Sequence, residues 1–283
     1  MQQHSQTTRS PGRLHPDLVQ APALAGRVAS ATDKIPPASF MVVTAQRSGS
    51  SWLMDRINNA PDAQGHMELF YRHPRRSPAR AGCNDYPRFV ETSERIGRRP
   101  RAVFAYLDGL YSRPGAIGFK LMYSQLRRYP EILPYAAFRR LRVVHLVRSN
   151  HFDVVISEEL ARVTGTSHAT RDDARVTPCV VDIDPGTIVE RVRRLQRKQQ
   201  VVRSLLRLLP VPVIEVSYES LCSDDDRTFR RLLRFIGATE PTTPAASDSK
   251  LVKRQRAPHS DVVRNYPSVA AALTCAGYER LLH

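Results

Sequence analysis

The fold is decided by the stretch Phe40-Met41-Val42-Val43-Thr44-Ala45-Gln46-Arg47-Ser48-Gly49-Ser50-Ser51-Trp52. Its first part is a continuous apolar run, which is typical of a strand buried on both faces of a parallel sheet. Its second part is a turn of small and polar residues, and the residues from Trp52 to Ile57 have the character of a helix. A buried strand that passes through a short turn into a helix predicts an α/β domain.

The rest of the chain continues this alternation of apolar runs and helical periods. Apolar runs predict strands at 116–121, 141–147 and 213–216, and helical spacing predicts helices at 151–163, 229–236 and near Ala270. The clearest helix carries an apolar stripe formed by Ile188, Val192, Leu195, Val202, Leu205 and Leu209, and Pro210 ends it. Strands that alternate with helices indicate one mainly parallel sheet flanked by helices. We therefore predict a single domain over residues 39–283.

Residues 1–38 are polar and have no sustained period, so we expect a disordered leader. Their Arg and Ser content and their few acidic residues leave an organelle transit peptide as an alternative. The chain shows neither the apolar block of a signal peptide nor a run of about 18 apolar residues, so we expect no membrane-spanning segment. Its four cysteines are widely spaced and form no C-x-x-C pair, which favours the reducing cytoplasm over a zinc site or a disulfide framework.

The formal net charge of +16 would suit a nucleic acid, an anionic membrane surface or a polyanionic small ligand. The basic residues are spread along the chain, as in an arginine-rich solvated surface. Aromatic residues make up only 7% of the chain and are not interleaved with the basic ones, which argues against nucleic acid as a partner. A basic nucleic-acid-binding protein nevertheless stays an alternative, and a homodimer stays open.

The turn at 46–52 has the composition of an anion site. Free N–H groups and the helix dipole meet an anion where a strand passes into a helix. Gly49 lets the backbone approach the anion, Arg47 adds a charged donor, and Ser48, Ser50 and Ser51 add hydroxyls. The turn lacks the first Gly and the Lys of the loop G-x-x-x-x-G-K-[ST], which argues against a nucleotide-dependent phosphotransferase of the kinase type but leaves it as an alternative. An ordinary strand-to-helix turn with a Ser cap is the other interpretation.

A second anion site is predicted after the strand at 141–147. Arg148 ends this strand, and Ser157 lies nine residues further on, in a helix that can turn it back toward the strand end. Two anion sites on neighbouring strand ends would suit a nucleoside with phosphates at both ends.

Five motifs in the same order are similar to those of the PAPS-dependent sulfotransferases, in particular their bacterial carbohydrate branch (trehalose 2-sulfotransferase, nodulation and lipopolysaccharide sulfotransferases). The motifs are Gln46 to Ser51, Gly65-His66-Met67-Glu68-Leu69-Phe70, Gly118-Phe119-Lys120-Leu121-Met122, Leu146-Val147-Arg148-Ser149-Asn150 with Ser157, and Val216-Ser217-Tyr218-Glu219-Ser220-Leu221. The resemblance runs from about residue 40 to the C-terminus. Ser149 departs from it, since many relatives carry Arg there.

The resemblance implies a P-loop-like sulfotransferase fold and 3′-phosphoadenosine 5′-phosphosulfate (PAPS) as co-substrate, with no metal. It assigns catalysis to Glu68 as general base, Lys120 and Arg47, with His66 as the rival base. The residues implied to bind the nucleotide are Arg47, Ser48, Gly49, Ser50, Ser51, Trp52, Arg148, Ser157 and Tyr218. The acceptor would be a hydroxyl of a carbohydrate, a glycolipid or a related small molecule. Its pocket would be shaped by the loops at 72–100 and 164–182. The basic segment with Lys253 and Arg254 could close over the nucleotide, but a solvated run of charges is the favoured interpretation of it.

Overall fold

The computed structural model describes residues 38–72, 86–90, 92, 99–165, 179–223, 225–240 and 258–282. Its strands are β1 (Ser39–Thr44), β2 (Ala63–His66), β3 (Ala116–Met122), β4 (Arg142–Val147) and β5 (Val213–Ser217). Its α-helices are α1 (Ser50–Ile57), α2 (Arg101–Tyr111), α3 (Tyr123–Arg128), α4 (Ile132–Arg139), α5 (His151–Thr164), α6 (Pro185–Arg207), α7 (Tyr218–Ser223), α8 (Asp225–Ile236), α9 (His259–Val262) and α10 (Tyr266–Cys275), and a 3₁₀ turn follows at Glu279–Leu281.

The strands form one parallel sheet in the order β2-β3-β1-β4-β5. Strand β1 lies in the middle, between β3 and β4, and its residues from Phe40 to Thr44 are completely buried. This position explains its apolar run, because a central strand of a parallel sheet is covered on both faces. The predicted α/β class, with a mainly parallel sheet flanked by helices, is confirmed.

Helices cover both faces of the sheet. Met41 and Val43 face a cluster that includes α2, α3, α4 and the C-terminal part of α6. Phe40 and Val42 face the opposite cluster, which includes α1 and α8. A third cluster joins α5, the N-terminal part of α6 and α10. Because the strands are parallel, the turns that follow β1, β3, β4 and β5 all lie at one edge of the sheet, where ligands of open α/β sheets bind.

Several elements differ from the sequence prediction. Strand β2 and helices α2, α3 and α4 were not predicted, although α2 carries a regular stripe of buried side chains. The predicted stripe of α6 is wrong at Leu205, which is 36% exposed, while Leu206 is buried in its place. The helix also ends at Arg207, before Leu209.

Part of the sequence interpretation lies outside the described residues. This holds for the leader except Ala38, for most of the loops at 72–100 and 164–182, and for the basic segment with Lys253 and Arg254. Within the described part of the chain, no helix combines the length and the hydrophobicity that crossing a bilayer requires.

Candidate active site

The turn between β1 and α1 is fixed from the inside. The hydroxyl of Ser48 is hydrogen-bonded to the hydroxyl of Thr44 and donates to the carbonyl of Ala45 (2.9 Å), and the Thr44 hydroxyl also reaches the carbonyl of Leu146 on β4 (2.8 Å). Arg47 adopts a left-handed φ of 61°, which is uncommon for a residue with a side chain and marks a constrained turn. Ser48 thus stabilises the turn with its hydroxyl, and its contact with a ligand stays a prediction.

Gly49 is required where Tyr218 packs on the turn. Its φ is 78°, and a Cβ atom there would lie 2.3 Å from Cδ2 of Tyr218, so no other residue fits without moving that ring. Tyr218 also makes an edge contact with Trp52, at 6.3 Å between ring centroids. Its ring lies 4.9 Å from the guanidinium carbon of Arg148, within the range of a cation–π contact. The tyrosine after β5 therefore contacts both predicted anion motifs.

The two predicted anion motifs meet because β1 and β4 are neighbours. Arg47 donates from Nε to the hydroxyl of Ser157 (2.9 Å), and Arg148 donates from NH1 to the carbonyl of Arg47 (3.1 Å). Arg47 thus forms one cationic cluster with Arg148 and Ser157, which lie 101 and 110 residues further along the chain. Nε of Arg148 is buried and has no hydrogen-bond partner among the described residues. A buried donor of this kind could serve an anionic ligand.

Two carboxylates that the sequence analysis did not assign also lie in this cluster. Asp153 accepts from NH2 of Arg148 (3.1 Å) and pairs with Nε2 of His259 (2.8 Å). Glu219 accepts from the backbone N–H groups of Ser149 (3.0 Å) and Asn150 (3.1 Å), just before α5 begins. The backbone N–H groups of the two residues before α5 are therefore already satisfied by a side chain of the protein. The only sign of Glu219 in the sequence is its position within the motif Val216-Ser217-Tyr218-Glu219-Ser220-Leu221.

Lys120 connects the turn to the predicted base. It is buried near the carboxyl end of β3 and donates from Nζ to the hydroxyl of Ser51 on α1 (3.2 Å). Its Nζ also lies 3.3 Å from Oε1 of Glu68. The other oxygen of Glu68 accepts from Nε2 of Gln125 on α3 (2.7 Å). The structure thus brings together Ser51, Lys120 and Glu68, and it adds Gln125, which sequence reasoning missed.

The carboxamide of Gln125 is oriented by both of its ends. Its Oε1 accepts from the backbone N–H of Met122 (3.1 Å), so Nε2 is the end that points to Glu68. This double contact holds the carboxylate of Glu68 against the start of α3.

His66 lies elsewhere. It ends β2 and pairs in register with Phe119, whose neighbour Lys120 points to the opposite face of the sheet. Its ring is buried, with its centroid 5.9 Å from that of Tyr86. The alternation of side chains along the strands therefore separates His66 from the Ser51–Lys120 contact.

A chain of hydrogen-bonded side chains links α3, β4, β5 and α6. Nε2 of His145 lies 2.7 Å from the hydroxyl of Tyr123, and Nδ1 lies 2.9 Å from Oε2 of Glu215. Arg203 donates to both oxygens of Glu215 (2.7 and 2.9 Å). Burial lowers the pKa of His145 and outweighs the opposite effect of Glu215. Burial opposes ionisation of Glu215 as well, but Arg203 and His145 together outweigh it and lower the pKa of that carboxyl. A neutral imidazole that donates from Nδ1 and accepts a hydrogen bond from the Tyr123 hydroxyl at Nε2 satisfies every partner.

Within the described residues, no group of three or more His, Cys, Asp or Glu side chains could hold a metal ion. The candidate site contains cations, hydroxyls and a helix start, with Glu68 beside it.

No protein-family model matches the chain, and no curated protein matches it either. Among solved structures, a sulfotransferase from Alicyclobacillus acidocaldarius is similar with 14% identity, 86% of this chain and 95% of that chain covered, and a TM-score of 0.42. The mouse sulfotransferase SULT7A1 complexed with PAP is similar with 15% identity, 72% of this chain and 60% of that chain covered, and a TM-score of 0.37. A sulfotransferase domain from the curacin biosynthetic pathway is similar with 14% identity, 80% of this chain and 82% of that chain covered, and a TM-score of 0.41. All three of these TM-scores lie below 0.5.

Proposed function

We propose that the protein is a PAPS-dependent sulfotransferase that transfers a sulfuryl group to a hydroxyl of a carbohydrate, a glycolipid or a related small molecule. One observation carries the proposal. The two cationic motifs on neighbouring strands meet at the carboxyl edge of the sheet, where Arg47 contacts Ser157 and Arg148 contacts Arg47. A nucleotide with anions at both of its ends needs two adjacent anion sites of this kind.

The residues of the chain fit such a nucleotide. The start of α1 offers N–H groups beside Ser50 and Ser51, and the strained turn holds Arg47 next to them. On the β4 side, Arg148 has a buried Nε that could donate to a 3′-phosphate. Tyr218 and Trp52 offer aromatic surface between the two sites. Because Glu219 occupies the N–H groups before α5, we assign the 3′-phosphate contacts to side chains.

Sulfuryl transfer requires in-line positioning and stabilisation of the charge that develops on the leaving oxygen. PAPS supplies an activated sulfuryl group on a 5′-phosphate leaving group. Arg47 and the start of α1 stabilise that phosphate. Lys120, which contacts Ser51 and Glu68, neutralises the charge on the transferred group. Glu68, oriented by Gln125, accepts the proton of the acceptor hydroxyl.

The cytoplasm is the compartment that we propose for this reaction. The cysteines that the structure describes form no disulfide among themselves, which fits a reducing compartment.

The test is a thermal-shift comparison of adenosine 3′,5′-bisphosphate (PAP) with adenosine 5′-phosphate, ATP and an oligonucleotide. We expect PAP to stabilise the protein most, and Arg148→Ala to weaken PAP binding by about 1.5–3 kcal/mol, the usual contribution of a hydrogen bond to a charged group. Transfer of label from radioactive PAPS to sugars and glycolipids would then identify the acceptor. Equal shifts with PAP and adenosine 5′-phosphate would contradict the 3′-phosphate site, and a larger shift with Mg-ATP would favour a phosphotransferase.

A further inference from the structure

The outer side of α6 carries a line of exposed apolar residues. Leu208, just after the helix, is 82% exposed, Val201 is 66% exposed and Leu205 is 36% exposed. Their spacing of four and three residues places them along one side of the helix. Single exposed apolar residues are ordinary on protein surfaces, whereas an aligned group indicates an interaction surface.

The same line continues toward the start of α6 with basic residues. Arg194 and Lys198 precede Val201 at the same alternating spacing, and both are exposed. Neither of them forms an ion pair with a residue that the structure describes. We call these five residues, Arg194, Lys198, Val201, Leu205 and Leu208, the α6 outer face. It is cationic in its first half and apolar in its second half.

The charge of this face decides between the partners that could cover it. A second copy would bring the same cations and another net charge of +16 to a symmetric interface. The leader does not complement the face either, because residues 1–37 contain Arg9, Arg13, Arg27 and Lys34 against only Asp17 and Asp33. An anionic lipid surface complements both halves, since its headgroups attract cations and its acyl boundary accepts apolar side chains.

We propose that the α6 outer face docks the protein on the surface of an anionic lipid bilayer, with α6 lying along that surface. Arg194 and Lys198 contact the headgroups, and Val201, Leu205 and Leu208 enter the boundary between headgroups and acyl chains. Because α6 leads into the start of β5, its apolar end lies at the edge of the sheet opposite to the candidate site, so that docking leaves the site open. The proposal does not depend on sulfuryl transfer, and its test measures binding alone.

The experiment is sedimentation of the full-length chain with vesicles of phosphatidylcholine, either alone or with about one third phosphatidylserine. We expect binding to the anionic vesicles and at least about tenfold weaker binding to the neutral ones. Arg194→Glu/Lys198→Glu should weaken binding by at least about 25-fold, since one cation near such a surface contributes about fivefold. Val201→Ser/Leu208→Ser should weaken it by at least about tenfold, because two apolar side chains are lost from the boundary.

Matched controls are available on other helices. Val163 on α5 is 61% exposed, so Val163→Ser removes a comparable apolar side chain outside the α6 outer face. Arg227→Glu/Arg231→Glu on α8 reverses the same number of exposed charges. Both controls should stay within about threefold of the wild type, and thermal unfolding of every variant should show that the fold is retained.

Any of the following results would overturn the proposal. Equal losses in the α6 variants and the controls would show that binding follows total charge, and equal binding to both kinds of vesicle, or none to either, would exclude an anionic surface. A dimer in sedimentation equilibrium that Leu208→Ser converts to a monomer would assign the face to a second copy. A gain in vesicle binding of about tenfold or more on removal of residues 1–37 would assign it to the leader.

Discussion

Replacing Glu68 by Gln tests the proposed general base directly. In the structure, Oε2 of Glu68 accepts from Gln125 (2.7 Å), and Oε1 lies 3.3 Å from Nζ of Lys120. A Gln side chain has the same size and can still accept the bond from Gln125, but it cannot take a proton at neutral pH. We expect the chemical rate to fall about 10²–10⁴-fold, the usual range for general-base catalysis. This loss corresponds to about 3–5 kcal/mol of activation free energy.

The assay is single-turnover transfer from labelled PAPS to an acceptor found by screening sugars and glycolipids. Single turnover keeps product release from hiding a slow chemical step. PAP binding, measured by thermal shift, should stay close to that of the wild type, because Glu68 does not belong to the proposed nucleotide contacts. A parallel loss of PAP binding would mean that the substitution disturbed Lys120 and Ser51 as well.

The matched control is His66→Ala, because His66 is the rival base and points to the face of the sheet opposite to Lys120. Its rate should fall much less than that of Glu68→Gln. If the rate of Glu68→Gln stays within a few-fold of the wild type while His66→Ala is inactive, the assignment of the base is wrong. His66 would then replace Glu68 as the proposed base.

Two further predictions concern the polar groups around α3. Gln125→Leu removes the donor to Glu68, and we expect the single-turnover rate to fall about 10–100-fold with unchanged PAP binding, in line with a lost hydrogen bond to a charged group; an unchanged rate would mean that Gln125 does not orient the base. Because burial lowers the pKa of His145, the unfolded chain binds a proton more readily than the native one. The free energy of unfolding should therefore fall as the pH drops below about 6.5, with His145 contributing at most about 1.4 kcal/mol per pH unit. Urea unfolding at several pH values should show a flatter slope for His145→Gln, and the pKa of His151 shifts in the same direction, so the difference between the two proteins is the quantity to compare.

The sequence was sufficient for the strands that lie inside the sheet. Strands β1 and β4 are covered on both faces, so their residues must be apolar almost without interruption, and such runs are visible without any tertiary information. Strand β2 could not be found in this way. It is a short edge strand with the sequence Ala63-Gln64-Gly65-His66, and neither its composition nor its length separates it from a loop.

The helices show a different limit of what can be predicted from the sequence. Helix α2 has buried residues at helical spacing, Val103, Tyr106, Leu107 and Leu110, so the signal was present next to a long segment interpreted as loop. Helix α6 was recognised, but its stripe was wrong by one residue at its end. Leu205 and Leu206 are equally apolar, and only packing against the sheet decides that Leu206 is buried. Adjacent leucines near a helix end therefore leave the choice of face open.

The residues of the candidate site show the same difference between local and long-range information. Those that the sequence predicted follow from their place along the chain, and those that it missed depend on contacts made in the fold. Arg47, Gly49 and Arg148 were found because the ends of parallel strands collect ligand-binding groups, a rule that depends on position in the sequence alone. Gln125 and Asp153 were missed because what singles them out is the side chains that they contact in the fold. Gln125, for example, is 57 residues away from Glu68. Glu219 is the instructive case. Its carboxylate accepts the two N–H groups before α5, so the protein itself supplies the anion that this position favours. A ligand phosphate there would have to displace Glu219 or bind beside it, through the side chains of Arg148 and Ser157. Sequence motifs can therefore predict an anion site, but they cannot show which of its donors the fold has already used.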